Sequence, residues 1–141
     1  MKTLKENIVK IFARIVVYKT KKWANKPLKT QNRIFNCLIQ KGKTTSFGQD
    51  HDFKEIFNHK DFVKNVPVRD YEGLRPYFER AVQGEKNVLW PGKPLYFAKT
   101  SGTTSGVKYI PISKESMPTH VKGSRDAILH YINETGKAEF L

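Results

Sequence analysis

The sequence predicts an α/β chain that is mostly helical and carries one β-hairpin. Two observations set the helical part: apolar residues recur every three or four positions over the first 40 residues, and again after Ser113. A third sets the hairpin. "LYFAKT" (95–100) and "VKYIPIS" (107–113) are short and rich in aromatic and β-branched residues, and a Gly/Ser/Thr run separates them.

The elements follow in order. Leu4, Ile8, Ile11, Phe12, Ile15 and Val16 predict an amphipathic helix over about 4–19, with these residues as its core face. Leu28, Ile34, Phe35, Leu38 and Ile39 predict a second helix up to Gln40, ended by Gly42. "TTSFGQDHDF" is turn-rich and reads as a loop, and Asp61 is placed to cap a short helix from Phe62. In "NVPVRDYEGLRPYFERAVQGE" Asp70 reads as an N-cap and Gly84 as the glycine after the helix. Its apolar face is Leu74, Tyr77, Phe78, Ala81 and Val82. "NVLWPGKP" is a turn, and the two strands of the hairpin come next, Pro111 confining the second to an edge or a bulge. Ser113 reads as the cap of a last helix running to about Thr135, with Gly136 as its stop.

Length and composition bound the function. A chain of 141 residues with 38% hydrophobic content supports one domain with a real core. No apolar run approaches the ~20 residues of a membrane span, and the N-terminus is too often interrupted by charge to be a signal peptide. The single cysteine, Cys37, excludes an internal disulfide and reads as a core thiol in the second helix. A cytoplasmic protein is the expectation. Residues 1–43 hold twelve Lys or Arg against one acid, a net +11 of the formal +13. Such an end is open to two readings. One is a pair of core-packed helices with solvated lysine faces. The other is a small basic module for nucleic acid or an anionic membrane surface. The aromatics there are not interleaved with basic residues as stacking platforms would be, so no specific nucleic-acid partner is expected.

The chemistry concentrates in "TSGTTSGVK", residues 100–108. Gly102 and Gly106 have only three residues between them, Val107 stands before Lys108, and a strand rather than a helix follows. Those features exclude a Walker A loop, and no G-x-G supports a dinucleotide fingerprint. Ser, Thr and Gly are ordinary turn residues, so a plain hairpin turn is one reading. The other is an anion loop. Glycines let backbone N–H groups converge, hydroxyls add neutral donors, and Lys108 adds a mobile positive charge. The stretch is longer than the two to five residues of ordinary hairpin loops, which favours the second reading.

The same stretch resembles the phosphate-binding motif of the adenylate-forming superfamily, Ser/Thr-Ser-Gly-Thr-Thr-Gly-x-Pro-Lys, with Ser105 and Val107 as departures. With "TSFGQDHDF" and "NVPVRDYEGLRPYFERAVQGE" ahead of it, the chain is most similar to the auxin-responsive acyl-acid amido synthetase (Gretchen Hagen) family, over about residues 44–115. The resemblance implies the N-terminal part of an adenylate-forming fold. Residues 1–43 would be a basic helical lead-in, and 44–141 the start of the N-terminal domain, truncated at its C-terminal end. It implies ATP and Mg²⁺ as cofactors, and a small carboxylic acid and an amine or amino acid as substrates. Thr100, Ser101, Gly102, Thr103, Thr104, Ser105 and Gly106 would hold phosphate oxygens, and Lys108 would supply catalytic charge. The family's proteins are several times longer, so 1–141 alone is expected to be inactive and to leave an apolar face open.

Arg125 lies among Met117, Val121, Ile128 and Ile132. Its stem packs on the core with the guanidinium reaching out, or it meets the acyl substrate's carboxylate at a pocket wall. His51, His59, His120 and His130 show no metal-ligand spacing, and no metal-binding residue is assigned.

Overall fold

The computed structural model describes residues 4–100 and 106–138. Among these the chain is mostly helical, with a two-stranded antiparallel sheet. It divides into two compact units, Met1–Gln31 with Met117–Leu141, and Asn32–Ser116.

The first unit pairs α1 (Leu4–Ala24) with α6 (Met117–Thr135). Its core is Ala13, Val16, Leu129, Ile132 and Ala138, with Val9 packed against it. Ala13, with no exposed surface, marks where a small side chain sits inside this core. This corrects the predicted face of α1. Leu4, Ile8, Ile11, Phe12 and Ile15 are exposed, and of the predicted stripe only Val16 is buried. At ~100° per residue, the buried residues Ala13, Val16 and Val17 lie about 160° around the helix from the exposed isoleucines. The helix therefore has two apolar faces, and periodicity reported the bulkier one. A parallel correction applies to α6, where Leu129 and Ile132 are buried while Val121 and Ile128 are exposed.

The ends of α6 are set locally. Gly136 stops it with φ +68°, a conformation that glycine adopts without a Cβ penalty, and its N–H donates to the Ile132 carbonyl at 2.8 Å. At the start, Ser113 does not cap the helix itself. Its Oγ accepts the Ser116 N–H at 3.1 Å, closing a turn just ahead of Met117.

The second unit holds the rest of α2 (Pro27–Gly42), then α3 (Ser46–Asp50), a 3-10 turn (Phe53–Glu55), α4 (His59–Asn65) and α5 (Tyr71–Val82). The stretch read as a loop, "TTSFGQDHDF", is thus α3 and the 3-10 turn. Thr45 explains the difference: its hydroxyl caps α3 by accepting the Gly48 N–H at 3.0 Å and donates to the Gly42 carbonyl at 2.7 Å. Thr45 is buried, so both bonds are shielded from water. The N–H groups of Ser46 and Phe47, otherwise unmet at a helix start, donate to the Asn87 and Val88 carbonyls at 2.8 and 3.0 Å. The backbones come so close here that a Cβ on Gly48 would lie 2.0 Å from the Gly42 oxygen.

The cap of α4 is also corrected. Asn58 is the N-cap, accepting from Lys60 and Asp61 N–H, and Asp61 returns the bond as the third helical residue. For α5 the reading from sequence holds: the Asp70 side chain accepts the Gly73 N–H at 2.9 Å, and Gly84 follows with φ +89°.

The core of this unit is Ile39, Phe53 and Ile56, flanked by Phe35, Phe47, Phe62 and Val66. Its rings meet edge to face, Phe47 on Phe53 and Phe35 on Phe62, each with centroids 5.9 Å apart. Beyond it, His51 stacks on Phe47 at 4.1 Å and its Nδ1–H donates to the Phe47 carbonyl at 2.7 Å. Cys37, expected in the core, is exposed, because the buried side of α2 here is the one carrying Ile39 and Phe35.

The sheet is the expected hairpin, β1 (Tyr96–Thr100) and β2 (Lys108–Ile112). Its register runs from Tyr96 opposite Ile112 to Thr100 opposite Lys108, with Pro111 facing Phe97. Proline is tolerated because each strand of a two-stranded sheet is an edge strand.

Candidate functional site

The hairpin brings Thr100 and Lys108 together as the pair that closes the connecting segment 101–107. That length exceeds an ordinary hairpin loop. Ser101, Gly102, Thr103, Thr104 and Ser105, the proposed phosphate contacts, lie outside the described residues. Gly106 has φ +78°, so glycine meets a backbone requirement at the exit of the segment.

Lys108 is half-buried at the start of β2. Its ammonium lies over the Tyr71 ring, 5.4 Å from the centroid, and no carboxylate of the described residues is within ion-pair distance of it. Tyr71 is the first residue of α5, set in place by the Asp70 cap, and its ring stacks on Phe78 at 4.9 Å. Its hydroxyl accepts the Tyr109 backbone N–H at 2.9 Å, tying β2 to α5 across 38 residues of sequence.

A second cation shares this ring. The Arg75 guanidinium lies 5.7 Å from the Tyr71 centroid and grips Glu72 through two hydrogen bonds of 2.7 Å. That grip holds the Glu72 carboxyl below the usual carboxylate range, and the positive charge of Lys108 acts in the same direction. Arg75 is therefore neutralised by its neighbour, whereas the charge of Lys108 remains available.

Sequence reasoning missed Tyr71. It stands one residue after a helix cap, outside the predicted apolar face of α5, and nothing in its neighbourhood signals a partner on a strand 38 residues on. Its aromatic character at the first helical position is the only local trace.

Arg125 lies in the other unit. Its guanidinium sits 5.6 Å from the Phe12 ring centroid and donates to Asp126 Oδ1 at 3.0 and 2.7 Å. The side chain is half exposed. Arg125 thus has both an aromatic seat and an acidic partner within its own pair of helices. Among the described residues, no group of three or more His, Cys, Asp or Glu could hold a metal ion, and no helix is long and apolar enough to cross a membrane.

A mostly helical chain whose one hairpin presents a lysine beside a Gly/Ser/Thr segment matches a known family. Residues 17–139 match the model described as the GH3 family N-terminal domain, and the chain belongs to that family. The match begins within α1, ahead of residues 44–115 that carry the resemblance. Indole-3-acetic acid-amido synthetase GH3.15 of Arabidopsis thaliana is 39% identical over 96 residues, covering 67% of this chain and 16% of that protein. A probable indole-3-acetic acid-amido synthetase, GH3.13 of Oryza sativa subsp. japonica, is 38% identical over 58 residues, or 40% of this chain and 12% of the relative. The 4-substituted benzoates-glutamate ligase GH3.12 of Arabidopsis thaliana is 36% identical over 53 residues, 37% of this chain and 9% of its own length. The matched stretches therefore span less than a fifth of these curated relatives.

Proposed function

We propose that this chain is the N-terminal segment of an ATP-dependent acyl-acid amido synthetase, and that its hairpin grips the nucleotide's phosphates. The family match over residues 17–139 carries the reading, because its named relatives are amido synthetases and a glutamate ligase. The reaction has two steps. A carboxylate oxygen of the acid attacks the α-phosphorus of ATP, and pyrophosphate leaves as the acyl-adenylate forms. The amine nitrogen of an amino acid then attacks the acyl carbon, AMP leaves with the bonding pair, and the nitrogen loses a proton.

Neither step needs a covalent nucleophile from the protein. The first needs alignment and relief of negative charge on the triphosphate. Lys108 suits the second requirement, being half-buried, held by an aromatic face and unneutralised by a carboxylate. Thr100, opposite it, begins the segment whose hydroxyls and N–H groups would receive the phosphate oxygens. Mg²⁺ would accompany the nucleotide, but the described residues supply no ligand set for it. Arg125 is proposed as a substrate contact only in so far as the acid displaces Asp126 from its guanidinium.

The test is ATP–pyrophosphate exchange by the protein as expressed from its own gene, with a panel of carboxylic acids. Lys108→Ala and Ser101→Ala should each lose most of the exchange, on the order of the 10²-fold that a single transition-state donor contributes, with the melting temperature unchanged. Wild-type exchange in both variants would remove the phosphate role of this segment.

A further inference from the structure

We propose that Tyr71 is a positioning residue for Lys108, acting through two parts of one side chain. The proposal rests on the reading of Lys108 as a phosphate-facing charge. The hydroxyl accepts the N–H of Tyr109, the residue next to Lys108, at 2.9 Å. The ring seats the Lys108 ammonium at 5.4 Å. Tyr71 thereby fixes both the backbone that carries the cation and the cation itself.

The arrangement answers two weaknesses of the hairpin. A two-stranded sheet is marginal by itself, and each strand has an open edge. The Tyr71 hydroxyl takes the bond that a third strand's carbonyl would otherwise take at Tyr109. A lysine on a four-carbon stem is the second weakness, since its charge wanders unless something holds it. An aromatic face holds it without neutralising it, which a carboxylate could not do. The anchor is itself fixed, because Asp70 caps α5 at Gly73 and Phe78 stacks on the ring.

Two substitutions separate the two parts. Tyr71→Phe keeps the ring and removes the acceptor. Exchange of the Tyr109 amide with solvent should then speed about fivefold, the loss of one neutral hydrogen bond, and the KM for ATP should rise by a similar factor with kcat less affected. Tyr71→Leu removes both parts and should raise that KM about ten- to thirtyfold. In a Lys108→Met background the same Tyr71→Leu change should alter the KM for ATP by less than about twofold, because its route of action is gone. Effects that multiply in the double variant would overturn the positioning role, showing that Tyr71 acts independently of Lys108. An unchanged Tyr109 exchange rate in Tyr71→Phe would overturn the backbone anchor whatever Lys108 does. If Lys108→Met alone keeps the wild-type KM for ATP, the phosphate reading of Lys108 fails, and the positioning role toward ATP falls with it. The Tyr109 exchange rate reports separately on the anchor.

Discussion

The two units of this chain are stabilised in different ways. The pair formed by α1 and α6 has a buried core of small and aliphatic residues, Ala13, Val16, Leu129, Ile132 and Ala138. Between its two helices, His130 Nε2 meets Thr20 Oγ1 at 3.2 Å and the Arg125 guanidinium sits over the Phe12 ring, 5.6 Å from its centroid. The unit of residues 32–116 is built from short elements around an aromatic cluster. Its side chains knit those elements together: Thr45 at the end of α2, Tyr77 to Asp50 at 2.8 Å, Arg80 to Ser46 at 2.8 Å, Trp90 to Glu115 at 3.1 Å. The contrast follows from element length. Helices of 21 and 19 residues satisfy their backbones internally and need only one apolar face against another. A helix of five residues satisfies almost none of its own and survives on caps and neighbours. The candidate site lies in the second kind of structure, where one tyrosine sets the position of a strand.

The contrast can be broken most directly at Phe53. It is buried where rings from α2, α3 and α4 meet, and Phe53→Ala should cost about 3–5 kcal/mol by transfer and cavity terms. Chemical denaturation of the chain measures this, and a loss below about 1 kcal/mol would mean that the cluster is not the support of its unit. Next in size comes a test of the corrected face of α1. Ala13→Leu forces a larger side chain into a fully buried position and should cost about 1–3 kcal/mol. The smallest effect sharpens the same point. Ile15, on the face that periodicity favoured, is 45% exposed, and Ile15→Ala in the 141-residue chain should stay within about 0.5 kcal/mol. If Ile15→Ala proves the costlier of the two, then Ile15 rather than Ala13 lies on the packed face of α1.

Much of the fold was legible in local chemistry. Asp70 and Gly84 bracketed α5, Gly136 ended α6, and the aromatic run of 95–100 marked β1. These signals worked because caps, glycine turns and strand pairs act within a few residues. Apart from the caps of α4 and α6, errors arose where a contact partner lay far away in sequence. Thr45 begins α3 with help from Asn87 and Val88, and the buried side of α2 was chosen by Phe53 and Ile56, which turned Cys37 outward. For the site, composition and spacing isolated residues 100–108 and excluded Walker A chemistry. They could not find Tyr71, whose role exists only when α5 lies beside β2.

By itself, then, the sequence determined the bounds of α5, the stop of α6, the place of the hairpin, where the basic residues concentrate and which segment resembles a phosphate loop. Each of those is a property of neighbours along the chain. Tertiary structure alone decided which of two apolar faces α1 buries, and which side chain holds Lys108. Periodicity is the same for a face that meets a partner and one that does not, and burial depends on what arrives opposite. Val16 is buried because α6 supplies Leu129 and Ile132 to the same core, and Lys108 has its seat because Tyr71, 37 positions earlier, is brought beneath it.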